Sequence, residues 1–196
     1  MENLNRIRAT GISCIAGAIV WIFALFIEYG LGLQPPSSGA LFYLNQAMFL
    51  VAMTGFVLGI VGLMWAQATG DGWLGRIALG LFALGWIVLI VATIVAPLTG
   101  NYDLPLFPIG GLVATVGGLL AGVAVAVGHR WSGWQRWSVL VYTLYYLVAL
   151  ILPLVVANQE PTLITEAIWG LAWILIGLAV YTSSGKTQPT QKVAAV

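Results

Sequence analysis

The sequence predicts an all-α fold: a polytopic membrane helix bundle with six transmembrane helices and both termini cytoplasmic. Three observations predict it. Apolar residues make up 61% of the 196 and charged residues 7%, against about 25% charged in a typical soluble domain. Six apolar runs are each long enough, at about 1.5 Å per residue, to cross roughly 30 Å of hydrocarbon. All seven lysines and arginines fall on connections of one side, which the positive-inside rule makes cytoplasmic.

Residues 1–8 are short and polar, carry Arg6 and Arg8, and read as a cytoplasmic N-terminus. The apolar run over about 9–33 is too long for the core of a signal peptide, roughly 7–15 residues, and reads as a retained first helix. Pro35 and Pro36 break the chain before a second helix over about 44–66. That helix has a stripe of small residues, Ala52, Gly55, Gly59, Gly62 and Ala66. The third helix, about 75–96, is expected to stop at Pro97. The fifth, about 137–157, contains Pro153 and is expected to kink near its outer end. The sixth covers about 163–182, and the polar stretch 183–196 reads as a flexible cytoplasmic tail. One domain results, with the bundle over 9–182.

The fourth helix, residues 109–128, is the stretch round which the bundle is expected to pack. It holds no charge, aromatic or proline, and Gly110, Ala114, Gly118, Gly122 and Ala126 recur every fourth residue. Side chains at that spacing share a helical face. In lipid the hydrophobic effect gives helices little reason to associate, so a nearly bare backbone ridge lets a neighbour approach closely. Coverage of this face within the chain, or its exposure to lipid, separates a self-sufficient bundle from one with a missing partner.

Charges and aromatics agree on the orientation. Arg6, Arg8, Arg76, Arg130, Arg136, Lys186 and Lys192 lie on one side, whereas Glu28, Asp103, Glu160 and Glu166 lie at or near the other. Trp65, Trp73, Trp131, Trp134 and Trp137 flank the basic side, and Tyr29, Tyr43 and Tyr102 the acidic one, as interfacial anchors do.

Several chemistries are excluded. One cysteine leaves no intramolecular disulfide or cysteine zinc site, and one histidine no bis-histidine haem. Both lysines are in the tail, so no retinal-binding lysine sits in a helix; GxSxG and HExxH motifs are absent. The chain is expected to be no enzyme and to carry no cofactor or metal, with no nucleic-acid partner.

Ligand-binding candidates cluster on the last two helices. Tyr142, Tyr145 and Tyr146 share one face of the fifth; Glu166, Trp169, Gly170, Trp173 and Gly177 share one face of the sixth. A short loop makes these helices neighbours. An acid with several π-faces and phenols suits a cation or an amphipathic organic ligand; the competing reading is a packed seam, with Glu166 reaching the surface. Trp21, Trp86 and Trp173, near helix centres, are expected to face the interior as bulky packing against the small faces. Asn45 and Gln46 with the four acids outline a vestibule, but the acids have no diagnostic metal spacing and read as solvated loop charges.

The segments LNQAMFLVAMTGFVLGIVGL, PLFPIGGLVATVGGLLAGVAVAV and HRWSGWQRW resemble stretches of uncharacterised six-helix integral membrane proteins of bacteria, over about residues 10–182. The resemblance implies a bacterial inner-membrane setting and a six-helix bundle, and carries over no activity or site residue. Expected partners are the lipid bilayer and other membrane subunits or a second copy. The expected function is a non-enzymatic accessory, assembly or sensing component binding other helices or lipids. The alternative is a small transporter or ligand-binding bundle for a cationic or amphipathic small molecule.

The topology has a direct test. In a chain lacking Cys14, single cysteines at Ser38, Asn101 and Asn158 should react with an impermeant thiol reagent on intact cells. Cysteines at Gly72, Ser132 and Thr187 should react only after permeabilisation; the reverse pattern would invert the bundle.

Overall fold

A computed structural model describes residues 2–35 and 37–183. Six of its helical stretches are long and apolar enough to cross a membrane. They are α1 (Glu2–Leu31), α2 (Ala40–Trp65), α3 (Trp73–Thr99), α4 (Leu106–Val127), a composite fifth span (Gly133–Ala157) and α7 (Leu163–Ser183). The fifth span is built from a 3-10 segment (Gly133–Trp137), α5 (Ser138–Tyr145), a π-helical segment (Tyr146–Ile151) and α6 (Leu152–Ala157). Among the described residues there is no strand. The spans pack in the order α1, α2, α3, α4, fifth, α7 and back to α1, with α2 and α7 also meeting across the interior. An even number of spans brings the start of α1 and the end of α7 to one end of the bundle, here the termini end; the other is the far end.

Several boundaries differ from the sequence expectation, each for a physical reason. The polar start is helical from Glu2, where a Glu2 to Arg6 ion pair one turn apart supports the first turn. Pro97 does not stop α3, which continues to Thr99 and ends at Gly100 in the left-handed region (φ 66°). So near a C-terminus, proline removes one backbone bond without ending the helix. Pro108 lies in the first turn of α4, where a missing N–H breaks no intrahelical bond. In the fifth span Pro153 yields a π-helical stretch before it rather than a simple kink: its ring crowds the carbonyl of Ala149 and it donates no hydrogen bond. The expected tail, with Lys186 and Lys192, lies beyond Ser183 and outside the described residues.

The helices meet backbone to backbone at glycines. A methyl group placed on Gly85 of α3 would sit 2.2 Å from the Ala114 nitrogen of α4, and one on Gly117 would sit 2.3 Å from the Phe82 nitrogen. Gly17 of α1 and Gly55 of α2 face each other, a methyl on Gly55 falling 2.6 Å from the Ser13 carbonyl oxygen. Gly59 accommodates Cys14, and Gly62 accommodates Thr10. On the opposite flank of α1, Gly11 lies against Gly177, and Trp21 with Ile22 against Gly170, so α1 and α7 are antiparallel.

The ridge of α4 divides between two neighbours. Each step of four residues turns about 40° around the axis at 3.6 residues per turn, so the ridge winds as it climbs. Gly110 and Ala114 meet Leu89 and Gly85 of α3, whereas Gly118 and Gly122 meet Thr143 and Leu140 of the fifth span. All five ridge residues, Ala126 included, are buried within this chain.

Contact geometry sets a mutational order. Gly85→Ala and Gly117→Ala should each destabilise the detergent-solubilised protein by about 1–3 kcal/mol, the scale of overpacking. Gly80, with no atom within 4 Å of an added methyl, should tolerate alanine and gain up to about 1 kcal/mol from helix propensity. Thermal unfolding of the three variants checks the order.

Candidate functional site

The middle of the bundle is filled by rings from five of the spans. Phe56 of α2 stacks on Trp173 of α7 (4.3 Å between centroids, 5° between planes), and Phe82 of α3 lies parallel to the same indole. Trp86 stacks on Trp169, Tyr142 tilts against Trp173 at 4.6 Å, and Tyr146 stacks on Trp169. Trp21 of α1 meets Trp169 edge-on. Small residues on the neighbouring faces make room for these rings, and each favourable ring pair contributes about 0.5–1.5 kcal/mol beyond area burial.

Of the six ligand-binding candidates, Tyr142, Tyr146, Trp169 and Trp173 are thus brought together, against one another and against Phe56, Phe82 and Trp86. Trp173 and Tyr142 are essentially without exposed surface. Tyr145 faces elsewhere: its hydroxyl donates to the Thr165 carbonyl (3.0 Å), tying the fifth span to the start of α7. Its ring borders a shallow apolar groove with Val141, Ile168 and Leu171. The indole N–H groups of Trp21, Trp86, Trp169 and Trp173 are buried without a hydrogen-bond partner. Those of Trp86 and Trp169 approach the Tyr142 hydroxyl but miss hydrogen-bond geometry.

Glu166, the sixth candidate, opens onto a different space. A cavity of about 200 Å³ at the far end is walled by α1, α2, α3, the start of α4 and α7. Glu28 and Glu166 are its acids; Gln46 and Thr93 are polar; Trp21, Phe49, Tyr102 and Phe107 supply aromatic surface. Local structure explains the placement. Thr162 and Thr165 cap α7 reciprocally, each hydroxyl accepting the other's backbone N–H (3.3 and 2.9 Å). Glu166, next in the first turn, is therefore released from capping, in a position where the helix dipole favours an anion. Glu28 sits in the last turn of α1 and accepts a hydrogen bond from the Asn45 side-chain amide (3.2 Å). Asn45 is 1% exposed, and its amide oxygen has no partner.

Among the described residues neither acid of the cavity is paired with a cationic side chain. Ion pairs join Arg6 with Glu2 and Arg130 with Asp71, both at the termini end, and neither involves Glu28 or Glu166. Asp103 and Glu160, the other acids of the expected vestibule, lie exposed on their loops. The Thr93 hydroxyl is already engaged by the Leu89 carbonyl (2.9 Å). The sequence outlined Glu28 and Glu166 within one vestibule of four acids but read all four as solvated loop charges, because nothing local shows that α1 packs along α7, at Gly11 with Gly177 and at Ile22 with Gly170. A search for matched small-residue stripes on α1 and α7 would have found it. Among the described residues no group of three or more His, Cys, Asp or Glu side chains suits a metal ion.

The aromatic core supplies a prediction. Trp173→Ala should cost about 3–5 kcal/mol, the scale for deleting a large buried ring. Trp173→Phe should cost well under half of that, because it keeps stacking surface on Phe56 and removes an N–H without a partner. Equal losses by thermal unfolding would show that the indole N–H is satisfied after all.

No family model matches the chain, and neither a curated protein nor a solved structure matches it.

Proposed function

We propose that this integral membrane protein binds a small organic cation in its far-end cavity and catalyses no reaction. The observation that carries the reading is the pair of carboxylates, Glu28 and Glu166, facing one cavity with no cationic partner among the described residues. A carboxylate within a membrane span is costly unless something compensates it, and the aromatic surface beside these two favours an organic cation over a hydrated metal ion. Each cation–π contact at a desolvated site contributes about 0.5–2 kcal/mol. Gln46 adds a polar side chain to the wall, and Asn45 behind it holds the Glu28 carboxylate by a hydrogen bond. At about 30 Å³ per water, a cavity of about 200 Å³ suits a head group of a few heavy atoms.

The accessory-subunit reading rested chiefly on the α4 ridge. That ridge is covered by α3 and the fifth span, so it leaves no vacant face for a partner. The orientation we propose puts both termini in the cytoplasm of a bacterium and opens the cavity to the opposite face of the inner membrane. Its support is the segregation of all seven cations from the acidic far end.

Ligand-induced thermal shift of the purified protein tests the reading, with tetramethylammonium and butylammonium as probes. A ligand at ten times its Kd stabilises by about 1.4 kcal/mol, a measurable rise in Tm for wild type. Glu166→Gln should abolish the shift and Glu28→Gln should reduce it. A panel without effect, or a shift indifferent to Glu166, would sink the proposal.

A further inference from the structure

We infer that residues 152–157 form a movable strap across a lateral portal between α4 and α7, through which the cavity takes cationic amphiphiles directly from the bilayer. The inference rests on the cavity reading above and extends it to the ligand's class: an ammonium head between Glu28 and Glu166, and an alkyl tail left in the lipid.

The fifth span changes character halfway along. Its termini half is anchored, with Val139, Tyr142 and Thr143 buried and α4 fitted against it at Gly118 and Gly122. Beyond Leu150, which is still buried, it is not. None of the six residues Leu152–Ala157 is buried, although nearly two helical turns would turn at least one face inward if the segment were packed. Val155 and Val156 are 75% and 79% exposed. The cavity receives wall residues from five other spans and none from this one. Phe107 of α4 and Glu166 of α7, from the two spans that flank the fifth in the packing order, both line it.

The backbone changes where the packing stops. The π-helical turns Tyr146–Ile151 carry the last anchored residue, Leu150, and end two residues before Pro153. Widened turns of this kind are rare and found frequently at functional sites, and proline breaks the hydrogen-bond ladder. Both ends of the segment are tied. Tyr145 donates to the Thr165 carbonyl at the inner end, and Tyr29 donates to the Pro161 carbonyl at the outer end (3.0 Å). Between buried Leu150 and the tied Pro161 the chain is unpacked, and a stretch held only at its two ends is built to bow outward. Tyr146 forms the sill, its ring on Trp169 and its hydroxyl 3.5 Å from where a methyl on Gly111 would lie.

An opening toward lipid selects the ligand. A soluble cation gains nothing from it, whereas a single-chain ammonium amphiphile can slide its head past Tyr146 to Glu166 without removing its tail from hydrocarbon. The cavity volume, enough for a head group but not for a long chain, agrees with that division.

The test uses the full chain in nanodiscs of zwitterionic lipid, with Cys14 replaced by alanine and nitroxides at Leu112 and Val155, two exposed positions on either side of the portal. Dodecyltrimethylammonium should shift the inter-label distance by about 5 Å, one helical turn. Tetramethylammonium, the same head without a tail, should leave it unchanged. Pro153→Ala, which restores a backbone donor, should slow association of the long-chain probe about tenfold, as stiffening a gating segment does, and leave tetramethylammonium affinity unaltered. A distance indifferent to the long-chain probe, while tetramethylammonium still binds in a Glu166-dependent manner, would overturn the portal alone. Loss of Glu166-dependent binding for both probes would overturn the site and the portal with it.

Discussion

The architecture depends on how closely backbones approach where side chains are missing. Within lipid, burial of apolar surface does not distinguish a neighbouring helix from a lipid tail, so dispersion and close fit hold a bundle together. Here the closest approaches are Gly17 to Gly55, Gly85 to Ala114, Gly117 to Phe82 and Gly11 to Gly177. Where backbones touch on the flanks, the interior can be filled with rings. The small-residue faces and the cluster round Trp173 are two sides of one packing solution: flat bulky groups on some helices, bare backbone on their neighbours.

That solution also sets where polar chemistry can reside. The middle is occupied by aromatic surface with four unpartnered indole N–H groups. Each is an unmet donor of the kind that costs about 1–3 kcal/mol when fully desolvated, offset by ring contacts. Polar groups that need room are pushed to the far end, where Glu28 of α1 and Glu166 of α7 line one cavity. The termini end, by contrast, carries the arginines, the Arg130 to Asp71 ion pair and the Gln135 to Thr182 hydrogen bond.

Much of the fold was legible in sequence because membrane spans are read by length and composition, and the six apolar runs leave little ambiguity. The ridge of α4 was legible as well, since its spacing is local. Which helix each ridge residue meets was not. Gly117 makes one of the tightest contacts with α3, yet it falls outside the four-residue series and carries no local signal. The far half of the fifth span was read as a kinked helix because Pro153 is visible and the π turns before it are not. At the site, local spacing put Tyr142, Tyr146, Trp169 and Trp173 on facing surfaces, and they do meet. What they enclose depends on Phe56, Phe82 and Trp86 from other helices, and those rings fill the space. The cavity lies one level up, where residues from α1 and α7 converge across 138 positions of sequence, a juxtaposition that no periodicity encodes.

The central claim is that Glu28 and Glu166 act on one bound cation. A double-mutant cycle on tetramethylammonium affinity tests it most directly, using wild type, Glu28→Gln, Glu166→Gln and the double variant titrated calorimetrically in nanodiscs. Two carboxylates sharing one ligand should be coupled, so the double variant should lose clearly less or more than the sum of the single losses, by at least about 0.5 kcal/mol. Strictly additive losses, or binding untouched by either substitution, would mean that the two acids do not share a ligand.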